Sequence, residues 1–491
     1  MELLEAGIEV TVLESAAFPG GKAASWRDRD GDIIDFGQHV VTPLYKNLLA
    51  LLGKVGAENN LIWKEGEYVL ALRGGGMSSI RIANLPPPFH FLSGLLRYKN
   101  IGLLHRLSAL PAFTEILLSS ERHRRKFDHL TFLEWMRRRG TSRALMAHMI
   151  EPMIEGLMFL NSHEVSTTNV MFDLHYMLLN REASRFGFFD GGLQERLIRP
   201  IASHITLHGG EILTDAEVTR IDLEGEAVAD VEMADGSRLA ADTYVSAMPV
   251  HRLRAVLPEP AWTHAYFADL RHLEPVPVIG VQLWFDRKVV NVSNLILSPD
   301  CIFNAFADAT NILSEYRRRP GSIIHFVLAP AGHLLDLPDE RITTLVFEDF
   351  CEVFPAAKTA EIIKATVVKT TQGFYAQRPG MERYRPDPKT PWPNFFLAGD
   401  YTRNRYPPCM EGAVTSGVLA ARAVTGAQKN FNVSLPGRTQ KSIEKKVLPC
   451  LALPNCLVEG STTAKLLPVT AVTKVGSGKG VVGEKGWRFA A

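Results

Sequence analysis

Three carboxylates and two glycine turns, placed toward opposite ends of a 491-residue chain, are the residues best suited to hold a reactive group. Asp400 follows the apolar run Phe395, Phe396, Leu397 and the small pair Ala398 and Gly399, so it sits where a short buried strand turns sharply. About ten residues on, Met410, Glu411, Gly412 and Ala413 open an alanine-rich amphipathic segment reaching Val424. The amino end of such a helix offers free N–H groups and a positive dipole end to an electron-rich ligand. Gly412 and Gly417 have no Cβ, which permits close approach by a flat ring or a phosphate chain. At the other end, Glu14 closes the strand-like run Ile8 to Leu13, and an acid there is the group expected to hydrogen-bond a ribose hydroxyl. Pro19, Gly20, Gly21 and Lys22 follow as a tight turn whose amides can face a pyrophosphate. Each feature alone is equally an ordinary strand-to-helix corner.

A dinucleotide fold places a strand and a G-x-G-x-x-G loop about 20 residues ahead of such an acid. Here Met1 falls inside the helix that should follow that loop, so the expected fold is α/β, a Rossmann-like nucleotide domain without its first strand and glycine loop. An interleaved α+β substrate domain fills the remainder. The pieces are expected at 1–60, 186–250 and 386–426 for the cofactor domain and at 61–185 and 251–385 for the substrate domain, with 427–491 as a disordered tail. Alternation around Tyr68, Leu70 and Leu72 predicts an edge strand, and Val276 to Phe285 and Ile323 to Pro330 read as apolar strands of the substrate domain. The methionine-rich stretch Ala144 to Asn161 reads first as core and second as the wall of an adaptable apolar tunnel.

Several segments together resemble the flavin-dependent carotene desaturases of the plant and cyanobacterial phytoene and ζ-carotene type, within the wider flavin amine oxidase superfamily. They are VTVLES with FPGGKAASW, DGDIIDFGQHV, FLEWMRRRG, FFDGGLQERLIRPIASHI, VQLWFDRKV, VVKTTQGFYAQRPG and FFLAGDYTRNRYPPCMEGAVTSG, in family order from Met1 to Gly426. The resemblance implies FAD as cofactor, with Glu14 on ribose, Gly20, Gly21 and Lys22 on the phosphates, and the backbone of Val218 on the adenine. Gly399, Asp400, Met410, Glu411, Gly412 and Ala413 would hold the ribityl and ring end. His39, beside Gly37, would lie near the isoalloxazine, although a satisfied structural histidine explains it equally. The implied reaction is dehydrogenation of a long apolar isoprenoid, with a quinone-type acceptor and the flavin doing the redox chemistry, so no catalytic acid–base residue is expected.

Composition is compatible with this and closes other routes. A hydrophobic content of 46% supports one large or two medium cores, and a net charge of +1 gives no electrostatic case for nucleic acid. The five cysteines are scattered and odd in number, suggesting neither a disulfide framework nor a zinc site. No run of about 18 apolar residues spans a membrane. Phe89 to Leu118 is instead unusually apolar yet interrupted by Arg97, Lys99, His105 and Arg106, which suits helices lying in a bilayer surface or capping a cavity. Peripheral attachment to a plastid, thylakoid or bacterial inner membrane face is the expected location. The competing expectations are an oxidase of amines or squalene-type hydrocarbons on the same fold, and an inert remnant that binds no FAD. Phe374, Tyr375 and Tyr384 are candidate packing rings for a polyene or a flavin.

Overall fold

The β-branched run Val10, Thr11, Val12 favours an extended chain, and Glu9–Glu14 forms a strand (β1) whose Val10 and Leu13 are buried. The computed structural model describes residues 1–74, 76–98, 101–298, 300–426 and 469–474. β1 pairs in parallel with Glu211–Leu213 (β2), Thr11 opposite Glu211. Thr243–Ser246 (β3) pairs in parallel with Phe395–Leu397 (β4), Tyr244 opposite Phe395. Val469–Lys474 (β5) lies between the two pairs and runs antiparallel to β1 and β3, completing a sheet of order β4-β3-β5-β1-β2. Segments far apart in the chain thus share one sheet.

β5 falls within 427–491, expected as a largely disordered tail: residues 469–474 form a central strand, and the other residues of that stretch lie outside the described residues. Without that strand, β1 and β3 would each present a row of unpaired backbone groups to the other, a costly arrangement inside a sheet. Glu211–Leu213 and the next strand, Val218–Glu224, are separated by Asp215, which takes a positive φ of 52°.

A second sheet of seven strands forms the floor of the substrate region. Its order is Ile362–Tyr375, Pro275–Phe285, Ile323–Leu328, Ala305–Asp308, Ile296–Leu297, Glu67–Leu72 and Gly76–Arg81. Period-two alternation divides its side chains: Tyr68 and Leu70 enter a core with the helices of residues 89–179, whereas Val69 and Ala71 enter the core under the helix Asp339–Val353. Glu67–Leu72, expected as an edge strand, lies one strand in from the edge, which Gly76–Arg81 forms as the second arm of its hairpin; Leu61–Lys64 pairs elsewhere, with Phe186–Phe189.

Five helices matter for the site. They are Lys46–Lys54 (α1), Phe89–Arg97 (α2), Leu103–Leu107 (α3), Leu110–Leu118 (α4) and Thr167–Leu179 (α5). The helix α6, Met410–Thr425, lays Ala420 and Ala421 against Val10, Val245 and Phe396 of the first sheet and ends at Gly426 in the left-handed conformation. Met146, Met149, Met153 and Met158 are buried in the helical core, so the first of the two readings of that stretch describes them.

Candidate functional site

The two chain ends meet. The Lys22 ammonium lies 2.5 Å from the Asp400 carboxylate and 5.4 Å from the centre of the Phe374 ring. Lys22 is delivered by a single 3-10 turn, Gly21–Ala23, after Gly20, whose φ of 143° excludes other residues. A Cβ on Gly20 would come within 3.0 Å of the Ala24 Cβ and 3.3 Å of the Gln194 Oε1. On the facing side Gly399, at φ 133°, lets the chain leave β4, and a Cβ there would stand 2.6 Å from the Tyr401 ring. Its amide donates to the Ser416 Oγ at 2.7 Å, pinning the turn to α6.

Both turns open on a cavity of about 1040 Å³. Gly20, Gly21, Lys22, His39, Gly399, Asp400, Met410 and Ala413 line it at this end. Apolar walls continue it: Leu157, Phe159, Phe172, Met177, Phe186, Val278, Leu295 and Val327. Phe374 lines it too, stacked on Phe159 with centroids 5.0 Å apart. Tyr375 lies instead in the core beneath the first sheet and Tyr384 stacks on His272, so neither ring reaches the cavity. Nδ1 of His39 is 2.9 Å from the Gly37 carbonyl. Burial holds this imidazole below its usual range, only partly offset by hydrogen bonds with the backbone of Gly37 and Lys22, so it is neutral at pH 7.

Four of the sequence candidates stand apart from the cavity. Glu14 is fully buried at the end of β1; its Oε1 accepts from the Ala16 amide at 2.9 Å while Oε2 has no partner among the described residues. Burial, the dominant influence, pushes its carboxyl up to about 7. Val218 is buried at the start of the next strand after β2. Glu411, expected to face a ligand, instead caps α1: its oxygens accept from the amides of Asn47 and Leu48 at 3.0 and 2.8 Å and from the Asn47 side chain at 2.9 Å. An acid at a helix start can serve its own helix, a ligand or a neighbouring helix end, and here the unsatisfied amides of α1 claim it. Gly412 packs on the Pro407 carbonyl, where a Cβ would come within 2.9 Å, and Gly417 faces open space rather than a close neighbour.

Residues that carried no sequence signal shape the loop after Asp400. Arg385 is buried at 1% exposure and its guanidinium donates to the carbonyls of Asp400, Thr402, Asn404 and Tyr406 at 2.7 to 3.2 Å. A guanidinium has five donors in a fixed fork, which is why one side chain can hold a whole turn of carbonyls.

Residues 1–425 match the family model described as flavin containing amine oxidoreductase. The chain belongs to that family. As a flavin amine oxidoreductase it is 31% identical over 453 residues to a 15-cis-phytoene desaturase of Synechococcus elongatus, covering 89% of this chain and 95% of that protein. It is also 31% identical to the chloroplastic/chromoplastic 15-cis-phytoene desaturase of Solanum lycopersicum, covering 90% of this chain and 77% of that one, and to a probable zeta-carotene desaturase of Synechococcus elongatus, covering 87% and 96%. The same fold occurs in solved structures of an oxidoreductase from Methanosarcina mazei, with a TM-score of 0.65 at 19% identity, covering 87% of this chain and 96% of that one, and of putrescine oxidase bound to putrescine, with 0.66 at 16%, covering 87% and 95%. This flavin oxidoreductase therefore carries the expected mixed α/β architecture.

The residues present suit a flavin nucleotide. An orphaned buried acceptor at the end of a strand, Glu14 Oε2, is what a ribose hydroxyl needs. Two glycine turns that tolerate no Cβ line the polar end of a cavity whose remaining walls are apolar.

Proposed function

We propose that the protein is an FAD-dependent desaturase of a long apolar isoprenoid of the phytoene or ζ-carotene class, with a quinone-type electron acceptor. One observation carries the proposal: the cavity joining the Lys22–Asp400 end to a long hydrocarbon-lined volume. A hydrocarbon offers no polar handle, so shape and apolar surface must orient it. Bound flavin supplies a two-electron acceptor for a hydride. Glu14 holds the ribose, and the turn at Gly20, Gly21 and Lys22 takes the phosphates. Gly399, Asp400, Met410 and Ala413 take the ribityl and ring end, with Glu411 and Gly412 setting the position of α6. Val218 reads the adenine through its backbone. His39, kept neutral, gives its one N–H to the Gly37 carbonyl, meets the ring end through the remaining face of its imidazole and carries no proton in the reaction. The apolar walls exclude water from the bond being oxidised.

The substrate and acceptor both dissolve in bilayers, and the helices α2 to α4 suit docking on one. Phe91, Leu95, Ala112 and Ile116 face the helical core, yet Phe89, Leu96, Leu103, Leu104, Leu110 and Leu118 are exposed, Leu104 and Leu118 at 84% and 79%. Helices apolar on both faces, with Arg97, His105 and Arg106 among them, fit insertion to headgroup depth. Among the described residues no helix is long and apolar enough to cross a membrane. Peripheral attachment to a plastid, thylakoid or bacterial inner membrane face follows from that reading.

The test is product analysis after incubating the FAD-supplemented protein with liposomes containing phytoene, ζ-carotene or squalene and a quinone. A more conjugated polyene from phytoene or ζ-carotene supports the proposal. Turnover of squalene or of an added polyamine with both carotenes untouched would replace it.

A further inference from the structure

We propose that Asp173 is the polar anchor of the cavity and selects a long apolar molecule bearing a hydrogen-bonding oxygen, carbonyl or hydroxyl, over its pure hydrocarbon analogue. The inference rests on the isoprenoid reading of the cavity and adds an acid among its walls that makes no hydrogen bond among the described residues.

Asp173 lies in the middle of α5, in the apolar run Val170 to Leu179, and lines the cavity together with Phe172, Tyr176 and Met177. Residues three and four apart share a helix face, so Asp173, Tyr176 and Met177 present one stripe to the cavity. The Asp173 carboxyl has no hydrogen-bond partner among the described residues, unlike Glu14, Asp400 and Glu411, each of which has at least one. It is sheltered from bulk water but keeps surface toward the cavity, and burial alone pushes it up to about 7.

The groups able to neutralise it are committed elsewhere. Arg405 lines the same cavity, but its Nη1 donates to the Tyr176 hydroxyl at 2.8 Å, one helical turn from Asp173. The Tyr45 hydroxyl bonds Cys409, and the Cys409 thiol is pushed up to about 12, first by burial and also by the Asp173 charge, so it stays protonated. Tyr68, which also feels Asp173, is held protonated by burial and places its hydroxyl 4.0 Å from the Met177 sulfur. An acid left alone in a dry pocket is costly unless a ligand bonds it. Near neutrality its protonated form donates to a carbonyl, and its ionised form accepts from a hydroxyl. Two sources carry such an oxygen on a long apolar body: a quinone oxidant and an oxygenated isoprenoid.

The test is calorimetric binding to the full chain, without flavin, in detergent micelles. Probes are decyl-benzoquinone against decylbenzene, and geranylgeraniol against its hydrocarbon analogue. The wild type should prefer an oxygenated probe by about tenfold, the worth of one buried hydrogen bond. Asp173→Leu should lose the preference and bind the hydrocarbons at least as well. Asp173→Asn should keep it while losing the pH dependence: quinone binding to wild type weakens as pH rises through about 7 and the donor ionises. A preference confined to the quinone identifies the oxidant as the occupant, and one confined to the alcohol identifies an oxygenated isoprenoid. No preference in the wild type, or one surviving in Asp173→Leu, overturns the proposal; should that variant not fold, an unchanged pH profile in Asp173→Asn does so. Lost carotene turnover with the preference intact would overturn only the desaturase reading.

Discussion

Replacing Glu14 by glutamine tests whether the end of β1 is built for a ligand at the expense of the empty protein. The carboxyl is fully buried, Oε2 has no partner among the described residues, and folding raises its proton affinity from the ordinary 4.5 to about 7. A raised carboxylate contributes against folding at high pH. Below 4.5 both folded and unfolded states are protonated and the penalty is absent; it grows as pH rises and is complete above 7, where both states are ionised. At 1.36 kcal/mol for each tenfold change in proton affinity, the full cost is about 3 kcal/mol. Glutamine keeps the acceptor for the Ala16 amide and removes the charge. Urea denaturation at several pH values should therefore show Glu14→Gln more stable than wild type by about 3 kcal/mol at pH 8, the gap closing toward pH 4. FAD should raise the wild-type midpoint more than the variant's, because a carboxylate is the stronger acceptor for ribose hydroxyls. A gap that does not vary with pH, or a wild type more stable at pH 8, would refute the burial argument. Equal stabilisation of both proteins by FAD would refute the ribose assignment.

Other consequences follow from single contacts. Gly399→Ala places a Cβ 2.6 Å from the Tyr401 ring at a φ of 133°, so it should cost about 1–3 kcal/mol of stability and release bound flavin, read by thermal melting and by flavin fluorescence in the filtrate. Lys22→Met leaves Asp400 without its cation at the mouth of the cavity and should weaken flavin binding about tenfold with a smaller change in melting temperature, measured by equilibrium dialysis. Leu104→Glu with Leu118→Glu touches two side chains that are mostly in solvent, so co-sedimentation with anionic liposomes should fall several-fold while melting is unchanged. Unchanged co-sedimentation would remove α2 to α4 as the docking face.

Much of the framework is written in local pattern. The run Val10 to Leu13 with Glu14 behind it, the triplet Phe395 to Leu397 before a small-residue turn, and the alternation at Tyr68 to Leu72 each form the strand their side chains favour. What escapes is whatever depends on partners far off in sequence. Glu411 looks like a ligand-facing helix start, and only the fold reveals that α1 begins beside it. Arg385 sits in an unremarkable YRPD segment, yet four carbonyls of the following loop converge on it. Asp173 is a single acid in an apolar helix, and whether it meets core, solvent or cavity is decided by packing. Strand β5 is six residues within a tail of weak periodicity, and its place in the sheet depends on pairing with β1 and β3, both far off in sequence.

The central claim is that two distant chain segments grip a flavin nucleotide whose ring meets a hydrocarbon-lined cavity. It is tested most directly by loading the protein with FAD, removing oxygen, adding phytoene in liposomes and recording the visible spectrum. The account predicts that the yellow flavin band appears on loading and bleaches on adding phytoene, with a more conjugated product extractable. A protein that stays colourless after loading, or a flavin band that phytoene leaves untouched while a polyamine bleaches it, would contradict the account.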